Sequence, residues 1–157
     1  MLKKFFMTLG VLLLIVVAYG YARLFHGRPG ELPNPENTVA HFVAAEDGTK
    51  IHYLTLGEGT PVLLIHGFFA NADLNWFKNG IAQELAKTHM VIAMDNRGHG
   101  KSDKPYDKAS YGDRMWKDAL LVLDDMKIEK AHIHGYSMGG SILTQILYHA
   151  PERVLTA

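Results

Sequence analysis

A doubly wound α/β domain, with a mostly parallel sheet and helices on both faces, is predicted by three observations. First, the runs PVLLIH (61–66), MVIAMD (90–95) and AHIHG (131–135) have the unbroken hydrophobicity of strands buried on both sides. Second, helical periodicity fills the intervals between them, and strand alternating with helix builds a parallel sheet. Third, each run leads directly into a short motif. Three loops therefore gather along the carboxyl edge, where such sheets place their chemistry.

In chain order, residues 1–25 read as a targeting segment. Lys3 and Lys4 precede eighteen uncharged residues, Phe5 to Ala22, whose centre is LGVLLLIVVA. This length is at the lower edge of a membrane-spanning helix and exceeds an ordinary signal core. An uncleaved anchor is therefore favoured. A cleaved signal, with Ala18, Gly20 and Ala22 as small residues for processing, stays open, and with it an exported rather than membrane-anchored protein. Residues 26–37, with three prolines and two glycines, form a linker. The globular part is expected over 38–157. It starts with a hairpin, an alternating strand turning at Asp47-Gly48 into a second strand through Ile51, Tyr53 and Leu54. Leu74, Phe77, Ile81 and Leu85 share one face of a first helix. Met115, Ala119, Val122 and Met126 share one face of a second, with Ser110 and Asp113 spaced as a capping box.

Composition removes several function classes. Sixteen basic and sixteen acidic residues balance to zero formal charge, without the basic excess that favours nucleic acid. The absence of cysteine excludes a disulfide framework, a thiolate-held metal and a thiol nucleophile. Gly100-Lys101-Ser102 imitates the end of a phosphate loop, but the spacing requires glycine where Asp95 stands. Gly98-His99-Gly100 is no dinucleotide fingerprint, because Asp103 occupies the third glycine position. His132 and His134 alternate on one strand without a third ligand at spacing, so they are read as packed core histidines, with no metal. No cofactor is expected.

The chemistry lies in the three loops. Gly135-Tyr136-Ser137-Met138-Gly139 fits G-x-S-x-G between a strand and a helix, the context that the motif requires. The serine takes a sharp turn, and glycines at 135 and 139 let the neighbouring backbone pass. Its hydroxyl then stands at a helix N-terminus, where free N–H groups favour developing negative charge. His66-Gly67 closes the first strand and turns the N–H of Phe68 toward the same place. Together with the N–H of Met138 it forms an oxyanion hole. His66 is read as a loop brace, and Asp95 and Arg97 as polar braces of the second loop.

With these motifs in place, residues 38–154 resemble the α/β-hydrolase superfamily. The likeness is to its serine-nucleophile group, which carries His-Gly, D-x-R-G-x-G-x-S and G-x-S-x-G in that order; HAPERV (149–154) resembles that group's exit from the elbow helix. The resemblance implies Ser137 as nucleophile, Phe68 and Met138 as oxyanion donors, and a supporting loop with Asp95, Arg97, Gly98, Gly100 and Ser102. It speaks against the branches that place aspartate at the elbow. It also implies a triad running Ser, acid, His along the chain. After Ser137 only His149 and Glu152 remain, and His149 lies on the order of 15–18 Å along the helix. The expectation is an N-terminal piece of a serine hydrolase acting on small carboxylic esters or related acyl compounds. As given it is weakly active or inactive, and AHIHG is left as an apolar sheet edge prone to aggregation. The alternatives are a non-catalytic binding module, and a parent enzyme using its serine for carbon–carbon hydrolysis or perhydrolysis.

Overall fold

The computed structural model describes residues 34–157. The anchor or signal expected over 1–25 lies outside the described residues, as does most of the linker. Among the described residues no helix is long and apolar enough to cross a membrane.

Six strands form one sheet in the order β1-β2-β4-β3-β5-β6. They are β1 (Val39–Ala44), β2 (Lys50–Leu56), β3 (Thr60–Ile65), β4 (His89–Met94), β5 (Ala131–Gly135) and β6 (Val154–Thr156). The first two form the expected hairpin, with Ala44 opposite Lys50 and the Asp47 carboxylate accepting the Thr49 N–H. β2 is antiparallel to β4, and the rest of the sheet is parallel. The sheet is thus mostly parallel, as expected. β2 departs from simple alternation, because Ile51, His52, Tyr53 and Leu54 are all buried.

Among the described residues three α-helices pack on the sheet: α1 (Ile81–Leu85) on one face, α2 (Asp113–Asp125) and α3 (Met138–His149) on the other. Leu63, Ile65, Ile92, Met94 and Ile133 point toward α2 and α3, where Val122, Leu123, Ile142 and Ile146 meet them. Val62, Leu64, Val91 and Ala93 point the other way, against Trp76, Phe77 and Ala82. This division is the two-residue strand period expressed as two cores.

Three local expectations are corrected. The first helix is broken, because Asn79-Gly80 intervenes with Gly80 at φ 82°. Asp73–Phe77 forms a π-helical turn that buries Trp76 and Phe77, and Ile81 is exposed. No capping box opens α2. Ser110 ends a short 3₁₀ turn, Lys108–Ser110, and its carbonyl accepts from the Arg97 guanidinium. Gly112 at φ 67° then starts the helix without a side-chain cap. Finally, β5 is not left as a bare edge. β6 pairs with its first half, Ala131 opposite Val154 and His132 opposite Thr156.

The topology fixes the place of the chemistry. From β3 the chain moves to β4 on one side, then crosses back over β3 to β5 on the other. The segments leaving β3 and β5 therefore diverge to opposite faces of the sheet. Doubly wound sheets bind their ligands between such diverging segments, outside the strand carboxyl ends.

Candidate active site

Ser137 follows β5 at that edge of the sheet, exposed, with φ 53° and ψ −114°. A left-handed φ at a residue bearing a Cβ costs about 1–2 kcal/mol. The surrounding contacts hold it there. The Tyr136 N–H extends the β3–β5 ladder by bonding to the Ile65 carbonyl at 3.0 Å. Three residues later, Gly139 lies so close to β3 that a Cβ would come within 2.1 Å of the Ile65 carbonyl oxygen. Gly135 is equally confined, its Cβ position 2.2 Å from the Gly139 carbonyl oxygen. The two glycines let strand and helix touch backbone to backbone, and the reversal between them lifts the serine clear.

The first turn of α3 is nearly saturated. Gly139 N–H bonds to the Tyr136 carbonyl at 2.8 Å, and those of Gly140 and Ser141 bond to the Ser137 carbonyl at 2.8 and 3.3 Å. Among the described residues the N–H of Met138 has no acceptor, which leaves one free donor beside the hydroxyl. Phe68 N–H is likewise without an acceptor among them, although the preceding Gly67 is engaged at both its N–H and its carbonyl. The Gly67 N–H donates to Asn75 Oδ1 at 2.9 Å, and the Gly67 carbonyl accepts His66 Nδ1–H at 2.7 Å. The loop also lies directly against the elbow. A Cβ at Gly67 would be 2.9 Å from Tyr136 Cδ1 and 3.3 Å from Ser137 Cβ.

His66 has neither ring nitrogen to spare, since Nε2 accepts the Asn96 N–H at 2.9 Å. Full burial lowers its pKa, consistent with a neutral ring that donates through Nδ1 and accepts through Nε2. Asn96 returns a bond from its side-chain amide to the His66 carbonyl at 3.1 Å.

The second loop is built around two buried charges. Asp95, 3% exposed, accepts His52 Nδ1–H, Ala72 N–H and Lys101 N–H, each at 2.8 Å. Burial alone would raise its pKa, but these bonds, His52 foremost, outweigh burial and lower it. Gly100 is required beside it, because a Cβ there would meet the Asp95 carboxylate at 2.1 Å. Gly98, at φ 83°, turns against the Tyr111 ring. The Ser102 hydroxyl donates to the Asp95 carbonyl at 2.7 Å and accepts the His52 N–H at 2.8 Å. Arg97, 1% exposed, forks onto Asp118 through Nε at 2.6 Å and Nη2 at 2.7 Å, with Nη1 on Asp47 at 2.9 Å. Burial works to lower Arg97 and to raise Asp118, yet the bonds to Asp118 and Asp47 dominate at the guanidinium and raise it. Two short parallel N–H···O contacts are ion-pair geometry, so the pair is ionised.

A pH prediction follows from Asp95. Its folded pKa lies below the unfolded one, so the unfolded chain binds more protons in acid. The stabilisation is present above about pH 4 and is lost as pH falls through the depressed folded value. Asp95→Asn is expected to cost about 1–3 kcal/mol at neutral pH. It should also flatten the acid limb of stability against pH, as urea unfolding at a series of pH values would show.

The histidines fall into different places. His149 is exposed at the far end of α3, stacked on Trp116 at 4.8 Å. His52 and Asp95 form the acid–histidine couple in this region, but β4 and β3 separate β2 from β5, roughly 14 Å at strand spacing. His132 and His134 are not packed core residues, which corrects the expectation. His134 is exposed with its ring edge-on to Trp76 at 5.5 Å, and half-buried His132 bonds Thr156 Oγ1 at 2.7 Å. Their strand face is only partly covered by the 73–85 segment. Among the described residues no group of three ligating side chains forms a metal site. Sequence reasoning missed His52, Asn75, Asn96 and Asp118. Each acts on a partner many residues away or in an irregular loop, where periodicity carries no signal.

A family model described as the alpha/beta hydrolase fold matches residues 60–157. Over 109 residues the chain is 38% identical to the dihydrolipoyllysine-residue acetyltransferase component of the acetoin cleaving system of Pseudomonas putida, covering 68% of this chain and 28% of that one. Over 115 residues it is 40% identical to 2-hydroxymuconate semialdehyde hydrolase of Pseudomonas sp. strain CF600, covering 71% of this chain and 39% of that one. Among solved structures, an epoxide hydrolase mutant of Vigna radiata superposes with TM-score 0.70 at 25% identity, over 76% of this chain and 37% of that one. The chain thus spans less than half the length of each of these relatives. Sequence match, strand order and elbow geometry agree: the chain belongs to the alpha/beta-hydrolase fold family.

Proposed function

We propose that this chain carries the nucleophile half of a serine hydrolase that acts on carboxylic esters or related acyl compounds. One observation carries the reading: Ser137 is exposed at φ 53° at the start of α3, with the acceptor-free N–H of Met138 beside it and the Gly67-Phe68 loop against it. Ser137 Oγ attacks the carbonyl carbon, and the oxygen that becomes negative is received by the N–H groups of Phe68 and Met138. Each such donor supplies on the order of 3 kcal/mol. Collapse of that intermediate expels the alcohol and leaves an ester on Ser137, which water then releases as the acid.

Proton removal from Ser137 needs a base. His66 is fully engaged, His52 is three strand spacings away, and His149 is at the opposite end of α3. We place the base and its acid partner in the part of the relatives' length that this chain does not span. A second reading, hydrolysis of a carbon–carbon bond by the same serine, is favoured by the 40% identity to 2-hydroxymuconate semialdehyde hydrolase. Both readings use Ser137 and the same two amides. A hydroxyl at the elbow supports either over opening of an epoxide through a carboxylate.

A fluorophosphonate probe tests the shared core. In a folded sample the probe is expected to label Ser137 slowly, because attack proceeds without a positioned base. Ser137→Ala should remove the label entirely, as read by mass spectrometry. A folded sample that stays unlabelled, alone or with additional C-terminal sequence, would favour a non-catalytic binding module instead.

A further inference from the structure

The elbow and the loop that lies against it carry three large rings that no other described residue covers. Phe68 and Phe69 are 59% and 69% exposed, and Tyr136, the residue before the serine, is 57% exposed. The Phe68 and Phe69 rings lie 4.2 Å apart between centroids at a tilt of 54°, and Phe68 meets the edge of His99 at 5.5 Å. His99 in turn lies edge-on to buried His66 at 5.2 Å, which ties the cluster to the supporting loops.

Two features argue that these rings are held out for a ligand. Phe69 has φ 59°, a conformation that a bulky side chain adopts only when its surroundings impose it. The strain keeps an apolar ring in water beside a reactive hydroxyl. The second feature is charge. The two segments that touch at Gly67 and the elbow, HGFFANA (66–72) and HIHGYSMGG (132–140), contain no Asp, Glu, Lys or Arg. Arg97 is sealed under Asp118 and Asp47, and Asp95 is sealed under its three donors. These loops therefore offer aromatic faces and edges, and no ionic anchor for a charged acyl group.

We propose that Phe68, Phe69 and Tyr136 form a ring-binding wall beside Ser137, and that the acyl group accepted there is uncharged and aromatic. Aromatic rings prefer tilted and edge-on partners, the arrangement that Phe68, Phe69 and His99 already show among themselves. The assignment of the ring to an acyl group rests on Ser137 being the nucleophile. The wall itself does not.

The test is binding of unreactive amides to the full chain, followed by NMR titration. N-methylbenzamide and N-methylcyclohexanecarboxamide differ in aromaticity at nearly constant ring size. The aromatic amide should bind more tightly, shifting signals of residues 67–69 and 136–138. Phe69→Gly removes one ring and relieves the left-handed φ, so folding is not endangered. It should weaken the benzamide about two- to tenfold and leave the cyclohexane compound little changed. A 4-carboxylate on the benzamide should weaken binding to the native chain. Equal affinity for the two neutral amides, or an unchanged benzamide affinity in Phe69→Gly, would overturn the wall. Ser137→Ala separates the two readings. If it retains benzamide binding while the native serine takes no fluorophosphonate, the nucleophile reading falls and the wall stands. If Ser137 labels normally and no ring binds, only the wall falls.

Discussion

Gly139→Ala should leave the chain unable to unfold cooperatively in urea, or should lower its stability by at least about 3 kcal/mol, the upper end of overpacking costs. The added methyl would enter a space already held by the Ile65 carbonyl, 2.1 Å from its oxygen and 2.7 Å from its carbon. Both atoms belong to the β3 backbone, flanked by β4 and β5, so no side-chain rotation can relieve the clash. Gly140→Ala is the matched control. Its Cβ would be 3.4 Å from the Gly135 carbonyl oxygen, an ordinary contact, and in a helix alanine is intrinsically favoured by about 1 kcal/mol. The control should be neutral or mildly stabilising. Adjacent glycines that respond in opposite directions would show that strand–helix contact, rather than glycine flexibility, sets the elbow.

The second large effect concerns the ion pair under the 95–102 loop. Asp118→Ala strands a guanidinium that is 1% exposed, with only Asp47 and the Ser110 carbonyl left to it. Removing one partner of a buried pair costs about 3–5 kcal/mol. Against a typical total of about 5–15 kcal/mol, that is a large share of the fold's stability. Replacing both residues together, Arg97→Met with Asp118→Leu, should recover most of the loss, because the cost arises from a buried charge that has lost its two-bond partner. A chemical-denaturation double-mutant cycle measures this directly. A cost for Asp118→Ala below about 1 kcal/mol, the range of solvated surface pairs, would mean that water reaches Arg97.

These two sites also mark what could and could not be read from the chain. PVLLI, VIAM and AHIHG announce their strands because a strand covered on both faces needs an unbroken apolar run. The three motifs announce their loops because glycine is forced wherever a Cβ would strike backbone or the Asp95 carboxylate. Asp118 was silent. On helical spacing it is one polar residue of an amphipathic helix, and only the tertiary approach of Arg97 makes it buried. Asn75 was hidden by the π-helical turn, whose spacing follows neither helical nor strand periodicity. The break at Gly80 was masked by Leu74, Phe77, Ile81 and Leu85, which happen to fit one helical face across two separate turns. His132 and His134 were placed in the core by the apolar neighbours of their strand. Their actual exposure depends on what covers that sheet face, which strand composition does not encode.

In the proposed site Ser137 faces two amide donors, and amide proton shifts in the phosphonylated protein report that geometry. With a fluorophosphonate bound to Ser137, the phosphoryl oxygen should accept hydrogen bonds from the N–H groups of Phe68 and Met138. Both amide protons should then move downfield, while that of Gly67, held by Asn75, moves little. A chain modified at Ser137 in which the amide protons of residues 68 and 138 keep their positions would contradict an oxyanion hole formed by these two amides.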